Sequence, residues 1–195
     1  MGAYDGITYS NTKFFEEQLN WTGIHIEPNI NVFEKLEKNR PNCKNYNIAI
    51  SQEEGELDFI KISGAPEMIS GLVKTYDPRH EERLKIELNR DGGEKEIVKV
   101  KSKTLDKLFM EENIKNINYL SIDVEGAEMS VIKSINFENI FIDVIGFENN
   151  YNDTSKPIIG YLKKRKYRLL KIKSYDIFMI HKDSKFIRKD SKFIR

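Results

Sequence analysis

The chain has 195 residues, 32 Lys/Arg against 31 Asp/Glu, and 39% hydrophobic with 32% charged residues. That is enough for one domain with a sizeable core, and the balance is that of a soluble globular protein. Its single cysteine, Cys43, excludes an internal disulfide, and His25, His80 and His181 stand too far apart in sequence for a metal-ligand motif. No apolar run approaches the roughly 18 residues of a membrane span, and the N-terminus has no apolar signal core. "MGAYDG" carries Gly6 where a myristoylation signal needs Ser or Thr. A soluble, cytoplasmic protein is expected.

The near-neutral net charge hides an asymmetry. Residues 161–195 hold 13 Lys/Arg against 3 Asp/Glu, a local charge of +10. Such a segment suits nucleic acid, an anionic membrane or a phosphorylated substrate, but a solvated surface with a loose terminus is the expected account, as for most charge runs. The chain closes on two copies of "KDSKFIR" from Lys182, too short and polar for a repeat fold. The expected division is a domain over residues 1–182 and a basic tail over 183–195.

In chain order, "MGAYDGITYS" comes first: Gly2 and Gly6 bracket a polar turn, with Ser10 as a helix N-cap. Phe14, Phe15 and Leu19 then fall on one helical face, and Trp21 is expected to pack that helix end. "IHIEPN" reads as a strand ending in Glu27 and broken by Pro28, and Asn29 caps a second helix with Val32, Phe33 and Leu36 inward. "KNYNIAIS" and "ELDFIKI" read as strands. Periodicity fades between Ser63 and Lys95, so an irregular insertion or lid is expected there. "EIVKVKS" alternates as a strand, Thr104 caps a helix, "NYLSIDVEG" is a buried strand running into a turn, and Val131 and Ile132 mark another helix. "FIDVIGFENN" is a strand, a helix covers Ile158 to Lys164, and "YRLLKIK" and "DIFMI" close the domain with Ser174 and Tyr175 between them. Strand-helix alternation predicts a parallel α/β sheet covered on both faces, and the two-residue link forces its last pair to be antiparallel. A mixed sheet follows.

Ligands of open α/β sheets sit beyond the carboxyl ends of the strands, where "GAYDG", "EPN", "DVEG" and "FENN" fall. Glu27 lies 21 residues beyond Gly6, at the end of the next strand. A carboxylate there can accept hydrogen bonds from both hydroxyls of a ribose. A dinucleotide fingerprint would need glycines at Tyr4 and Ile7, so a pyrophosphate reader is excluded. Asp5 and Asp123 would repel phosphate but can hold an ammonium. A nucleoside with an amino-acid tail fits, and S-adenosylmethionine has that form.

With "GAYDGITYSN", "IHIEPN", "NIAIS" and "LSIDVEGAEMSVIKS" in order from Gly2 to about Asn150, the chain resembles the FkbM-type methyltransferases. The resemblance implies the class I, Rossmann-like methyltransferase fold, S-adenosylmethionine as donor, and methyl transfer to oxygen, commonly a hydroxyl of a sugar or natural product. It places Gly2, Ala3, Tyr4, Asp5 and Gly6 in the cofactor loop with Ser10 at its far end, and Glu27 on the ribose beside Pro28 and Asn29. It places Asn47, Ala49 and Ile50 around the adenine, and Asp123 near the reacting methyl. Relatives carry an apolar strand directly before "GAYDG", where this sequence has Met1. That strand is central in the class I order, so a truncated start is expected, leaving two neighbouring strands unpaired and a slot in the core.

A sugar hydroxyl is a poor nucleophile and calls for a base. Asp123, Glu125 and Glu148 are the catalytic candidates, with His80 as an outsider. The same three carboxylates are candidate ligands for Mg²⁺. Glu128 reads as an exposed helix residue, and Tyr76, Arg79, His80 and Arg83 as a lid or charged loop. The acceptor is expected to be a sugar, glycan or similar small molecule. RNA methylation, prompted by the basic tail, and a non-catalytic remnant, prompted by the absent strand, are the rivals.

Overall fold

The computed structural model describes residues 1–187. Local signals set most boundaries. Helix α1 (Lys13–Leu19) starts after Thr12, not directly after Ser10, although Ser10 Oγ accepts the Lys13 N–H at 3.2 Å. Strand β1 (Ile24–Ile26) leads through "EPN" to α2 (Ile30–Asn39), where Asn29 Oδ1 accepts the Asn31 N–H at 3.2 Å and Val32, Phe33 and Leu36 are buried. "KNYNIAIS" forms two short strands, β2 (Lys44–Tyr46) and β3 (Ala49–Ile50), which join different sheets. Next comes β4 (Gly55–Ser63).

The stretch expected to be irregular is ordered throughout. A 3₁₀ turn (Glu67–Ile69), β5 (Gly71–Leu72) and a second 3₁₀ turn (Val73–Thr75) lead into α3 (Pro78–Asp91), the longest helix among the described residues. Asp77 caps α3 through the Arg79 N–H at 2.8 Å, Pro78 opens it, and Gly92 at φ +75° ends it. The helix escapes a hydrophobicity reading because of its apolar residues only Leu84 is buried, beside the polar His80. The chain continues through β6 (Glu94–Lys103), α4 (Leu105–Glu111, capped by Thr104), β7 (Asn116–Ile122), α5 (Glu128–Lys133), β8 (Phe141–Glu148), α6 (Asn152–Lys163), β9 (Tyr167–Lys173) and β10 (Asp176–His181).

The strands form three sheets where one continuous mixed sheet was expected. β1 and β2 pair in parallel. In the order β7-β8-β10-β9, β7 and β8 are parallel and β10 is antiparallel to both neighbours. In the order β3-β6-β4-β5, β4 and β6 pair antiparallel over nine residues from Gly55 to Ser63. The largest apolar cluster centres on Leu108, Ile122, Ile132, Ile142, Ile145 and Phe147, all essentially sealed from solvent.

The reason for the break lies between β1 and β7. There only residues 1–3 pair: the Met1 ammonium donates to Ser121 O at 2.8 Å, Asp123 N to Met1 O at 3.3 Å, and Ala3 N to Ile26 O at 3.2 Å. Behind this short bridge the two strand edges face an open groove of about 840 Å³, lined by Ile24, Ile26, Leu105, Leu108, Ile117 and Leu120 among others. Helix α1 borders the groove and buries no residue; Phe14 and Leu19 are exposed, contrary to the apolar face expected of them. Phe15 stacks 4.7 Å from Trp21 and tilts against Tyr119 at 5.5 Å, and Glu16 pairs with Arg40. No helix among the described residues is long and apolar enough to cross a membrane.

Candidate active site

A cleft opens at the carboxyl ends of β1 and β7, walled by Gly2, Tyr4, Glu27, Pro28, Asn29, Ala49, Ile50, Asp123 and Glu125. The N-terminal turn approaches β7 so closely that a Cβ on Gly2, at φ +60°, would stand 1.6 Å from Asp123 O. Only glycine fits there. Tyr4, a non-glycine residue at φ +50°, turns its N–H onto Glu27 Oε2 at 3.0 Å. Glu27 Oε1 accepts the Asn29 N–H at 2.9 Å. One buried carboxylate therefore fixes both the glycine turn and the start of α2. Asn47 lies outside the cleft wall and braces it, donating through Nδ2 to Glu27 O at 2.9 Å and Pro28 O at 3.0 Å.

Four of the loop residues sit elsewhere. The Asp5 carboxylate accepts from Ile7 N, Thr8 N and Thr8 Oγ1, an Asx-type turn that occupies it away from the cleft. Gly6 packs under α2, where a Cβ would stand 2.7 Å from Leu36 Cδ1, and its carbonyl accepts from Arg40 Nη1 at 2.8 Å. Ser10 faces the groove and meets Arg40 Nη1 at 3.2 Å. Ala3 lines the groove as well. These positions shape the loop; the cleft itself is faced by Gly2 and Tyr4.

The segment 63–95, read from sequence as a lid without defined contacts, supplies the far wall. Glu67, Met68, Ser70 and Leu72, with Phe59 of β4, line the cleft that Glu27 also faces. Tyr4 Oη donates to Glu67 Oε1 at 2.6 Å, and Lys35 Nζ reaches the same oxygen at 3.1 Å. The two hydrogen bonds pin this wall to the glycine turn and to α2. No sequence motif marks them, because they join residues more than thirty positions apart across the cleft.

Asp123, Glu125 and Glu148 come together, with one carboxylate oxygen from each lying within 4.8 Å of the others. Asp123 and Glu148 are hydrogen-bonded to one another; burial raises both pKa values, and the Asp123 charge adds to the rise at Glu148. Glu125, at φ +52°, is driven well above the carboxylate range by burial and then by Glu148 and Asp123. His80 is 1% exposed between Tyr76 and Tyr151, and its Nδ1 stands 3.3 Å from Glu125 Oε2. Neither atom has a hydrogen-bond partner among the described residues, a poorly aligned contact between two buried polar groups. Glu128, read as exposed, is buried: its Oε1 accepts Val124 N and Gly126 N, both at 3.2 Å, and holds the "DVEG" turn. The signal for that role was the carboxylate two residues beyond Gly126.

These raised carboxyls set a pH dependence. Burial lifts Glu27 to about 7 despite its two backbone donors. Between the ordinary carboxylate pKa of about 4.5 and about 7, the folded protein holds protons that the unfolded chain has released, so stability falls as pH rises. Glu27 alone accounts for about 3 kcal/mol, and Asp123, Glu125, Glu128 and Glu148 act in the same direction. His25, which burial pushes down to about 4, and the Met1 amine, whose pKa burial also lowers, act in the opposite direction. The Glu27 contribution is therefore read against Glu27→Gln: the melting temperature of the wild type minus that of the variant is expected to fall from about pH 5 to about pH 8. A difference that rose over this range would contradict the burial of Glu27 as an acid.

A mixed α/β chain with a glycine turn, a buried carboxylate and an acidic strand end around one cleft is consistent with a methyltransferase. The chain belongs to the FkbM methyltransferase family: the family model for a methyltransferase FkbM domain matches residues 1–169. Neither the curated proteins nor the solved structures yield a match.

Proposed function

We infer that the chain transfers a methyl group from S-adenosylmethionine to a hydroxyl of a sugar, glycan or similar small acceptor, on a class I, Rossmann-like methyltransferase fold. The observation that carries this reading is the bond between Tyr4 N and Glu27 Oε2, which sets the glycine turn and the ribose-reading carboxylate on one cleft. The residues fit the cofactor chemically. Ile26, Val32, Ile48, Ala49, Ile50 and Leu72 supply an apolar wall for an adenine, Glu27 an acceptor for two hydroxyls, and Asp123 a counter-charge for an ammonium. When bound, S-adenosylmethionine supplies an electrophilic methyl on a sulfonium sulfur.

The remaining work falls to the chain. Holding the acceptor hydroxyl in line is a matter of position, worth several orders of magnitude in rate. Its proton needs a receiver, and Glu125 beside His80, with no hydrogen-bond partner on Oε2, serves in its ionised form, which its raised pKa makes the stronger base. Asp123 and Glu148 stand beside it. The same three carboxyls are the candidate ligands for Mg²⁺, which when bound would supply a Lewis acid to the acceptor oxygen.

A labelled-methyl screen against nucleotide sugars, free glycans and RNA tests the reading. Label is expected in a sugar hydroxyl, and Glu125→Gln is expected to lower kcat about 10²- to 10⁴-fold with little change in cofactor affinity. Label in RNA alone would move the acceptor class, and failure to bind S-adenosylmethionine would leave a non-catalytic remnant. Full activity after exhaustive EDTA treatment would remove the Mg²⁺ component and leave the rest standing.

A further inference from the structure

A second group of metal-capable side chains lies on the other side of the cofactor loop, unused by methyl transfer. Glu16 on α1, His25 on β1 and Cys43 just before β2 bring one ligand atom each to within 4.8 Å of one another, and all three line the groove. Their sequence spacing shows nothing, since the site exists only when α1 folds back over the parallel pair β1–β2.

The hydrogen bonds around the cluster fix its chemistry. Asn45 Nδ2 donates to Arg40 O at 3.1 Å, and a backbone carbonyl can only accept, so the other end of the amide is oxygen. That oxygen, Asn45 Oδ1, lies 3.1 Å from His25 Nδ1. Nδ1 therefore carries the hydrogen, and Nε2 is left as a lone-pair donor. A metal-binding histidine is held in this way, its second nitrogen bonded to a carbonyl that sets the tautomer. Cys43 Sγ lies 3.1 Å from Glu16 Oε2, and Arg40 Nε and Nη2 reach that same oxygen at 2.6 and 2.5 Å. All of these contacts fall on Oε2, so Arg40 orients the carboxylate without occupying Oε1.

We propose that Glu16, His25 and Cys43 form a transition-metal site, suited to Zn²⁺, that clamps α1 to β1 and β2 beside the cofactor loop. Sulfur, imidazole and carboxylate together select zinc over magnesium or calcium, which favour oxygen alone. The groove gives the fourth position access to water. Binding forms the metal–sulfur bond with loss of the Cys43 thiol proton to solvent. With Zn²⁺ bound, the Cys43 thiolate and Glu16 offset the two charges of the ion and leave the buried Arg40 cation uncompensated, which weakens the site relative to one without it.

The test uses Co²⁺ as a spectroscopic probe on the chain without added histidines, followed by competition with Zn²⁺. One equivalent is expected to give thiolate-to-cobalt charge-transfer absorption that Zn²⁺ abolishes. Zn²⁺ should also raise the melting temperature, as any ligand of the native state does. Cys43→Ser should lose both responses while retaining its circular dichroism spectrum and its affinity for S-adenosylmethionine. Asn45→Ala should keep the charge-transfer band with metal affinity lowered about 10- to 100-fold. Absence of the band, or an undiminished Zn²⁺ response in Cys43→Ser, would overturn the site. The second result would place the ion on Asp123, Glu125 and Glu148.

Discussion

Replacing Glu27 with alanine is expected to weaken S-adenosylmethionine binding more than 100-fold. Hydrogen bonds to a charged acceptor contribute about 1.5–3 kcal/mol each, and two ribose hydroxyls converge on this carboxylate in the proposed complex. The loss extends to the free protein, because Glu27 also holds Tyr4 N and Asn29 N, so the glycine turn and the first turn of α2 lose their common anchor. A pH series separates these contributions. Only the ionised carboxylate accepts from both hydroxyls, and burial puts its titration at about 7. Affinity measured by calorimetry should be level above that pH and fall about tenfold per unit below it. Glu27→Gln should bind weakly with a flat profile. A wild-type affinity independent of pH between 5 and 8 would remove Glu27 from the cofactor.

The second large effect concerns the groove. Joining about five apolar, β-branched residues to the amino group of Met1 is expected to raise the melting temperature by about 10 °C. The length follows from the register, since Met1 already pairs at Ser121 and Asp123 while β7 begins at Asn116. An added strand would satisfy the facing edges of β1 and β7 and cover the half-buried Ile24 and Ile117. It would also turn the Met1 ammonium into an ordinary amide donor to Ser121 O; that ammonium is partly buried, and its desolvation lowers its pKa. Side-chain burial at about 1.5–3 kcal/mol each exceeds the ordering cost of about 1–2 kcal/mol per residue by a few kcal/mol in total. For a chain of this size each kcal/mol moves the midpoint by about 2–4 °C. An extension of equal length containing Pro and Asp is the control. Equal midpoints for all three forms would show that the groove does not accept a strand.

What could be read from the sequence was what neighbouring residues decide. Asn29 and Thr104 cap helices because their side chains reach donors two and three residues on. Glu27 was found because a strand, a turn and a helix fix its place within a few residues. The far wall of the cleft was illegible: Phe59 and Leu72 meet only because β4 and β5 pair antiparallel, and Glu67 is defined by its bonds to Tyr4 and Lys35. Glu128 looked like a surface residue because helical periodicity does not show the two N–H groups folded back onto it. Asp5 shows the opposite error, a carboxylate of the right type in the right loop, turned to its own backbone. The second copy of "KDSKFIR" lies outside the described residues. In the first copy, Phe186 stacks 6.1 Å from Trp21 and Lys185 N donates to Asp143.

Among the described residues strand β9 ends its sheet with one side unpaired, and past Tyr167 every residue of it is exposed. Leu169, Leu170 and Ile172 would make that border a template for sticking to another copy, were Arg168, Lys171 and Lys173 not interleaved with them. The positive excess of the C-terminal part thus acts as a solubility device. Neutralising those lysines, by acetylation or by substitution with threonine, would convert a quiet margin of the molecule into an aggregation seam.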